Sequence, residues 1–423
     1  MGSGTVSGHG DGAAAADMGC PAEAGSKEVL AEEGKDEQDA TVESSSLSAS
    51  PAKQPMAPPP TVSVPAHESD SESDSAASSS ESDEVMADLL SRMRDMLGTS
   101  RRDSESGLPA PPPSRLASLD VAGVADLILS GKAKNIVVMC GAGMSVSAGI
   151  PDFRTPGTGL YARLAEYKLP HPQAIFEIDY FRRTPQPFFH LARHLFPGTY
   201  LPTPAHHFLV LLHAKGLLTR IYTQNIDSLE VQAGLPSSVV VPAHGNFDSA
   251  RCIDCRAPHE VQHVRDAVFG EEDGVARCSN KNCNGLVKPD IVMFGEDLPK
   301  RFFELLKVDF PKADLLIVLG TSLIVHPFAS LIDHVKLDVP RVLINREVVG
   351  EPDAALRRAG YAKGFDFSSP QRHRDVLMLG DCDDGCRELA RLLNWEADLD
   401  ARIAAAARHW RKEKPDEAAE AAA

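Results

Sequence analysis

Three observations predict a doubly wound α/β fold. Short β-branched apolar runs recur after residue 119 and alternate with amphipathic segments, the pattern of a parallel sheet covered on both faces. One of these runs enters a glycine turn, Gly141-Ala142-Gly143, as strands do at the start of a nucleotide crevice. The first 118 residues, in contrast, carry 21 acidic and 8 basic residues and hold most of the formal charge of −17. That segment is rich in Ala, Ser and Pro and has too little apolar area to offset its ordering entropy, so the core belongs to the rest of the chain.

The elements follow in order. Val121–Ser130 reads as a helix stopped at Gly131, and Asn135–Cys140 as a buried strand leading into the glycine turn. Leu218–Thr223, Val239–Pro242, Leu315–Gly320, Val342–Asn345 and Asp375–Leu379 are further strands. Glu388–Trp395 is a closing helix, and Ala397–Ala423 is expected to be a frayed helix or tail. Inside the acidic segment, the Ser/acid run from Glu68 to Glu84 suits phosphorylation or plain solvation. Val85–Leu97 has helical apolar spacing that suits a docking helix or a transient one.

Composition excludes several classes. The acidic balance rules out a basic nucleic-acid binder, so no direct nucleic acid is expected as a partner. No stretch approaches the roughly 18 consecutive apolar residues of a membrane span, and neither a signal nor a transit composition is present, so no membrane partner is expected and the expected location is cytoplasm or nucleus. Gly2 is a poor lipid acceptor because Val6 stands where Ser or Thr is required. Eight cysteines in 423 residues make no disulfide scaffold.

Four constellations carry chemistry. Gly141-Ala142-Gly143-Met144-Ser145-Val146 follows a strand, so its amides suit a phosphate, although a plain turn also explains two glycines and Val146 replaces the third glycine of a dinucleotide fingerprint. Beyond it Asp152-Phe153-Arg154 delivers an acid, an aromatic and a guanidinium. Cys252-x2-Cys255 and Cys278-x4-Cys283, separated by 22 residues, form a four-thiolate set of zinc-ribbon type. Four sulfurs leave no open position, so this zinc is structural and not catalytic. Gln224-Asn225-Ile226-Asp227 follows a strand end, where open α/β sheets bind ligands, or else Asp227 caps a helix. His244 also leaves a strand end, eight residues before Cys252; a lone histidine is commonly a surface or core residue, and this position also suits a base near neutrality. His206 and His207, after Pro204, read as packing or surface residues.

With Lys288–Glu296 and Gly320-Thr321-Ser322 added, these motifs resemble the sirtuin protein deacylases in the correct order from about residue 119 to 395. The ending Leu379–Asp383 with Cys386 most resembles the branch of cytosolic and mitochondrial deacetylases. The resemblance implies a Rossmann-type domain over 119–396, with a small domain made of a zinc module (about 250–288) and a helical insertion (about 155–205), flanked by tails at 1–118 and 397–423. It implies NAD and one structural zinc as cofactors. Ala142, Gly143, Met144, Ser145, Val146, Asp152, Phe153, Arg154, Gln224, Asn225, Ile226, Asp227, Thr321, Ser322, Asn345, Arg346, Glu347 and Cys382 would meet NAD. Val292, Phe294, Gly295 and Glu296 would form a strip to which a peptide adds its backbone, and Val146 removes one hydroxyl contact that many relatives have.

His244, Asn225 and Asp227 are then the catalytic residues. In the family's chemistry nicotinamide leaves, the acyl oxygen captures the ribose carbon, and His244 deprotonates a ribose hydroxyl, giving free lysine and O-acyl-ADP-ribose. Acetylated protein lysines, with histones or tubulin as examples, are the implied partners of a monomer or weak oligomer. The alternatives are an NAD-dependent mono-ADP-ribosyltransferase, which shares the first step, and a zinc-stabilised interaction module without catalysis. Tyr161, Arg163 and Tyr167 do not reproduce the Tyr-x-x-Arg spacing of the sirtuins that remove succinyl groups, which favours acetyl or a longer apolar acyl chain.

Overall fold

The computed structural model describes residues 112–152, 159–160, 164–270, 273–353, 356–357 and 363–413. The acidic segment through residue 111, with its Ser/acid run and the Val85–Leu97 helix, lies outside the described residues, as do Phe153, Arg154, Tyr161 and Arg163.

Six parallel strands make the large sheet: β1 Ile136–Cys140, β2 Leu218–Thr223, β3 Val240–Pro242, β7 Leu315–Leu319, β8 Arg341–Asn345 and β9 Asp375–Leu379. Their order is β3-β2-β1-β7-β8-β9. The chain winds outward from β1 in one direction and then returns beside β1 as β7 to wind the other way, so the switch point lies between β1 and β7. That is the doubly wound, Rossmann-type order, and it opens a crevice at the strand ends where the connections that follow β1 and β7 leave for opposite faces of the sheet.

The unbroken apolar runs follow from burial on both faces. Along β1, Ile136, Val138 and Cys140 join one core while Val137 and Met139 join the other. The first core is covered by α1 Val121–Leu129, α4 Pro204–Ala214, α8 Cys382–Leu392 and α9 Glu396–Glu413. The second lies under α7 Lys300–Asp309 and the short helix at Phe328–Asp333. Asp120 caps α1 by accepting from the Gly123 amide at 2.9 Å, and Thr203 caps α4 with Pro204 in its first turn. The expected closing helix Glu388–Trp395 is the end of α8, which stops at Leu392, and the stretch from Ala397 expected as a frayed helix or tail forms the ordered helix α9 to Glu413, whose Leu399 is fully buried in the first core.

A second, antiparallel sheet has the order β5-β4-β6, from β4 Gly245–Cys252, β5 Pro258–His259 and β6 Val287–Ile291. Its core contains Phe247 and Val287 and also Phe181, Phe188, Phe189 and Phe196 from α2 Ile178–Arg183, α3 Gln186–Ala192 and the residues just after α3. Thus the insertion and the cysteine module, distant in sequence, share one apolar cluster. Edge-on aromatic pairs such as Phe181 on Phe188, with centroids 5.3 Å apart, fill it.

Candidate functional site

A cleft of about 550 Å³ opens at the switch point, between the two sheets. Every segment that lines it from the large sheet leaves the C-terminal end of a strand: Gly141–Val146 after β1, Gln224–Ile226 after β2, His244 after β3, Gly320–Ser322 after β7, Asn345–Glu347 after β8 and Gly380–Cys382 after β9. Residues Val292–Glu296, after β6, close it from the small sheet.

The β1 and β7 turns touch. A Cβ on Gly143 would lie 2.7 Å from the Gly320 Cα, and one on Gly320 would lie 2.5 Å from the Met144 nitrogen and 2.9 Å from the Cys382 sulfur. Glycine at both positions lets the two strand ends meet under the cleft floor. The contact also uses donors, since the Gly143 amide bonds the Gly320 carbonyl at 2.8 Å and the Met144 amide the Gly141 carbonyl at 3.0 Å. These two amides of the expected phosphate cradle are therefore engaged within the protein. Met144 and Ser145 are 1% exposed and lie behind the cleft wall, apart from Ala142, Gly143 and Val146, which line it.

The β2 turn holds the polar centre. The Gln224 side chain accepts from the Thr321 hydroxyl at 2.7 Å, tying the β2 and β7 ends together. Asn225 donates its Nδ2 protons to the Gly141 carbonyl at 3.2 Å and the Ser145 hydroxyl at 3.3 Å. With its Nδ2 protons used inside the protein, the side-chain atom that Asn225 has left for a ligand is Oδ1, an acceptor. Ser145 in turn donates to Asp227 at 2.7 Å, and Asp227 also accepts from the Leu229 amide at 3.0 Å. Burial raises the Asp227 carboxyl above its ordinary value. Asp227 thus stands behind Asn225, joined to it by two hydrogen bonds that meet at the Ser145 hydroxyl.

His244 lies on the two-residue link between β3 and β4. The Ala243 amide bonds the Thr223 carbonyl at 2.8 Å on one side, and the Val292 amide bonds the His244 carbonyl at 2.7 Å on the other. Its Nδ1 lies 3.0 Å from the Gln224 carbonyl. A carbonyl only accepts, so Nδ1 carries the proton and Nε2 presents a lone pair. Burial lowers its pKa below the ordinary 6.5, against the opposing pull of the Gln224 carbonyl, and so keeps the ring neutral at pH 7.

The far end of the cleft is charged and polar. The Arg346 guanidinium pairs with Asp381, which raises its pKa, and Asp152 adds a second negative neighbour. The Asn345 amide donates to the Glu347 carbonyl at 2.9 Å. Burial, with Asp383 and Asp381 nearby, pushes the Cys382 thiol up to about 12, so it meets a ligand as neutral S–H. The sequence did not single out several lining residues, among them Phe176, Ile324, Val325 and Val349. Phe176 comes from the insertion and reaches the cleft by tertiary packing that no local pattern announces.

On the strip, Phe294 uses both backbone groups: its amide bonds the Phe176 carbonyl at 2.8 Å, and its carbonyl accepts from the Ile178 amide at 3.1 Å. Lys288, 6% exposed, braces the strip from beneath, bonding the Ile291 carbonyl at 2.6 Å and the Glu296 carboxylate at 2.9 Å.

The four cysteine sulfurs of Cys252, Cys255, Cys278 and Cys283 lie within 4.8 Å of one another, with two pairs at 3.6 Å. A tetrahedron with Zn–S bonds of about 2.3 Å has edges of about 3.8 Å, so this donor set fits zinc. Both knuckles close, the wider one through bonds from the Cys283 amide to Asn280 at 2.9 Å and from the Cys278 amide to Gly285 at 2.8 Å.

A model of the Sir2 family matches residues 141–327. The chain is similar to the NAD-dependent protein deacetylase sirtuin-2 of Danio rerio, 50% identical over 290 residues covering 68% of this chain and 76% of that one. It is 46% identical over 280 residues to the NAD-dependent protein deacetylase hst2 of Schizosaccharomyces pombe, covering 66% of this chain and 78% of that one. Sirtuin-3 of Mus musculus, also named an NAD-dependent protein deacetylase, is 48% identical over 276 residues, 65% and 77% of the two chains.

Proposed function

Since the chain belongs to the Sir2 family and is an NAD-dependent protein deacetylase with a structural zinc site, we propose how its residues divide the work: His244 is the base, Asn225 orients, and Asp227 acts from behind it. NAD, when held by these residues, would supply nicotinamide as a leaving group and an electrophilic ribose carbon for the acyl oxygen.

The observation that carries the assignment of the base is the Nδ1 bond of His244 to a carbonyl, which leaves Nε2 as an acceptor on the cleft. A neutral imidazole there removes a ribose hydroxyl proton in the step that leads to free lysine and O-acetyl-ADP-ribose. The Asn225 Oδ1 orients a water or a ribose hydroxyl at the same place. Ala142, Gly143, Val146, Asp152, Gln224, Ile226, Thr321 and Ser322 would surround the phosphates and the nicotinamide ribose. Phe153 and Arg154 join them by motif. Asn345, Arg346, Glu347 and Cys382 form the adenosine end. Met144, Ser145 and Asp227 support this surface from behind.

Val292, Phe294, Gly295 and Glu296 receive the acetylated peptide. Phe294 turns both backbone groups to the insertion and Met293 bonds Glu296 through both of its own, so pairing with the peptide falls to Gly295. We place this chemistry in residues 119–396, to which Leu116 and α9 add packing, and we place the protein in cytoplasm or nucleus acting on lysines such as those of histones or tubulin. Among the described residues no helix is long and apolar enough to cross a membrane.

Mass spectrometry of an acetylated histone-type peptide, incubated with the protein with and without NAD, tests the reading. Loss of the acetyl mass only with NAD, matched by nicotinamide and O-acetyl-ADP-ribose, is the expected result. NAD consumption with the acetyl group intact and ADP-ribose gained by protein would put the transferase reading in its place, and no NAD consumption would leave an interaction module.

A further inference from the structure

Beneath the cleft, three buried titratable groups meet that the reaction as described does not use directly. His206 on α4 is 0% exposed. The Thr203 amide donates to its Nδ1 at 3.2 Å, so Nδ1 is unprotonated and Nε2 carries the hydrogen. That Nε2 is buried and has no hydrogen-bond partner. A ring nitrogen of His206 and one carboxylate oxygen each of Asp227 and Glu230 lie within 4.8 Å of one another. The cluster therefore holds two acids and one unpartnered buried donor, a combination that a bridging water satisfies.

Glu230 is 1% exposed, on the four-residue helix α5 Leu229–Gln232. Its Oε1 accepts from the Cys140 thiol at 3.6 Å. It also lines a second cavity, of about 460 Å³, on the far side of Asn225, together with Thr223, Ser228, Asn246, Asp248 and Arg301. Asn225 borders both cavities, so it is part of the wall between them. The charged and titratable groups that face the two acids are Cys140 from β1 and His206 from α4, with His207 beside His206 and Arg301 and Asp248 across the rear cavity. None of those in contact offers a fixed positive charge, and two adjacent buried carboxylates without one retain a proton between them.

We propose that Asp227 and Glu230 share one proton over a water held by His206 Nε2–H, and that Glu230, reached by solvent through the rear cavity, is a positioning residue that keeps Asp227, Ser145 and Asn225 aimed at the cleft. The inference rests on the deacetylase reading of that cleft. Burial first, and then Asp227, raise the Glu230 carboxyl to about 7. As pH rises through that value the proton is lost, two like charges face each other, and the Asp227–Ser145–Asn225 chain is disturbed. Gln at 230 stays neutral at every pH and is close in shape.

The test is kcat/KM for NAD against pH, in the zinc-loaded full chain, for wild type and Glu230→Gln. The expected result is a ratio of variant to wild type that rises several-fold as pH increases through about 7. A ratio that is constant with pH, as a purely structural role would give, overturns the proposal, and so does more than one tightly bound metal ion per chain. Inactive wild type would instead count against the deacetylase reading. Should Glu230→Gln fail to fold, infrared difference spectra of the wild type across the same pH range decide: a buried carboxylic acid that ionises near 7 supports the shared proton, and its absence refutes it.

Discussion

At the scale of single residues, the site depends on which atom of each side chain is left facing the cleft. His244→Ala removes the lone pair on Nε2 and should lower kcat by about 10²- to 10⁴-fold, with zinc content and melting temperature little changed. Because burial lowers the His244 pKa, the acid limb of kcat/KM should fall with a midpoint below 6.5, where the ring becomes protonated and stops accepting. His206 gives a second acid signature. Its folded pKa is held down at about 3 by burial, so unfolded chains take up a proton below 6.5 that folded chains exclude. Stability should then decline toward acid by about 1.4 kcal/mol per pH unit from this group, measurable as a shift of urea midpoints between neutral and mildly acidic buffer. His244 was legible from its strand-end position and its distance to Cys252. Glu230 was not, because a lone acid after Asn-Ile-Asp reads as an ordinary first-turn residue until the fold brings α4 and β1 around it.

Among elements, strands were read most reliably because burial on both faces makes them short β-branched and apolar runs, even where a Thr, Arg or Asp interrupts the run. The runs at Leu218–Thr223 and Asp375–Leu379 match the observed strands. The end of the chain was harder to read: Ala-rich spacing conceals that Leu399 and Ile403 meet the core. The strip after β6 shows what a sequence motif leaves out. Lys288 stands in that motif, but only the structure shows its ammonium held by the Ile291 carbonyl and Glu296. Lys288→Met would leave the Glu296 carboxylate without its partner. Since Glu296 retains some exposure, the loss should lie near the low end of buried-pair values, about 3 kcal/mol, read from denaturant midpoints. The displaced strip should also raise KM for the acetyl peptide more than KM for NAD.

For the whole molecule, the two sheets have separate cores, and their stabilities should separate. Both tryptophans, Trp395 and Trp410, lie after the large sheet, and Trp395 is buried in its first core near Phe208. Chelation of zinc should therefore open the cysteine module and the phenylalanine cluster to protease, with cuts between about 164 and 291, while tryptophan emission changes little. Loss of both signals together would mean that the cores unfold as one.

The strand β4 begins one residue after His244 and ends on Cys252, so the base and the metal ligand lie at opposite ends of a single rod. The metal takes no part in the reaction, yet it fixes the far end of the rod on which the imidazole is mounted. An oxidant that converted the thiolates to disulfide would leave every reacting group chemically intact. The enzyme would fall silent through lost aim, and a reductant with fresh zinc would restore it.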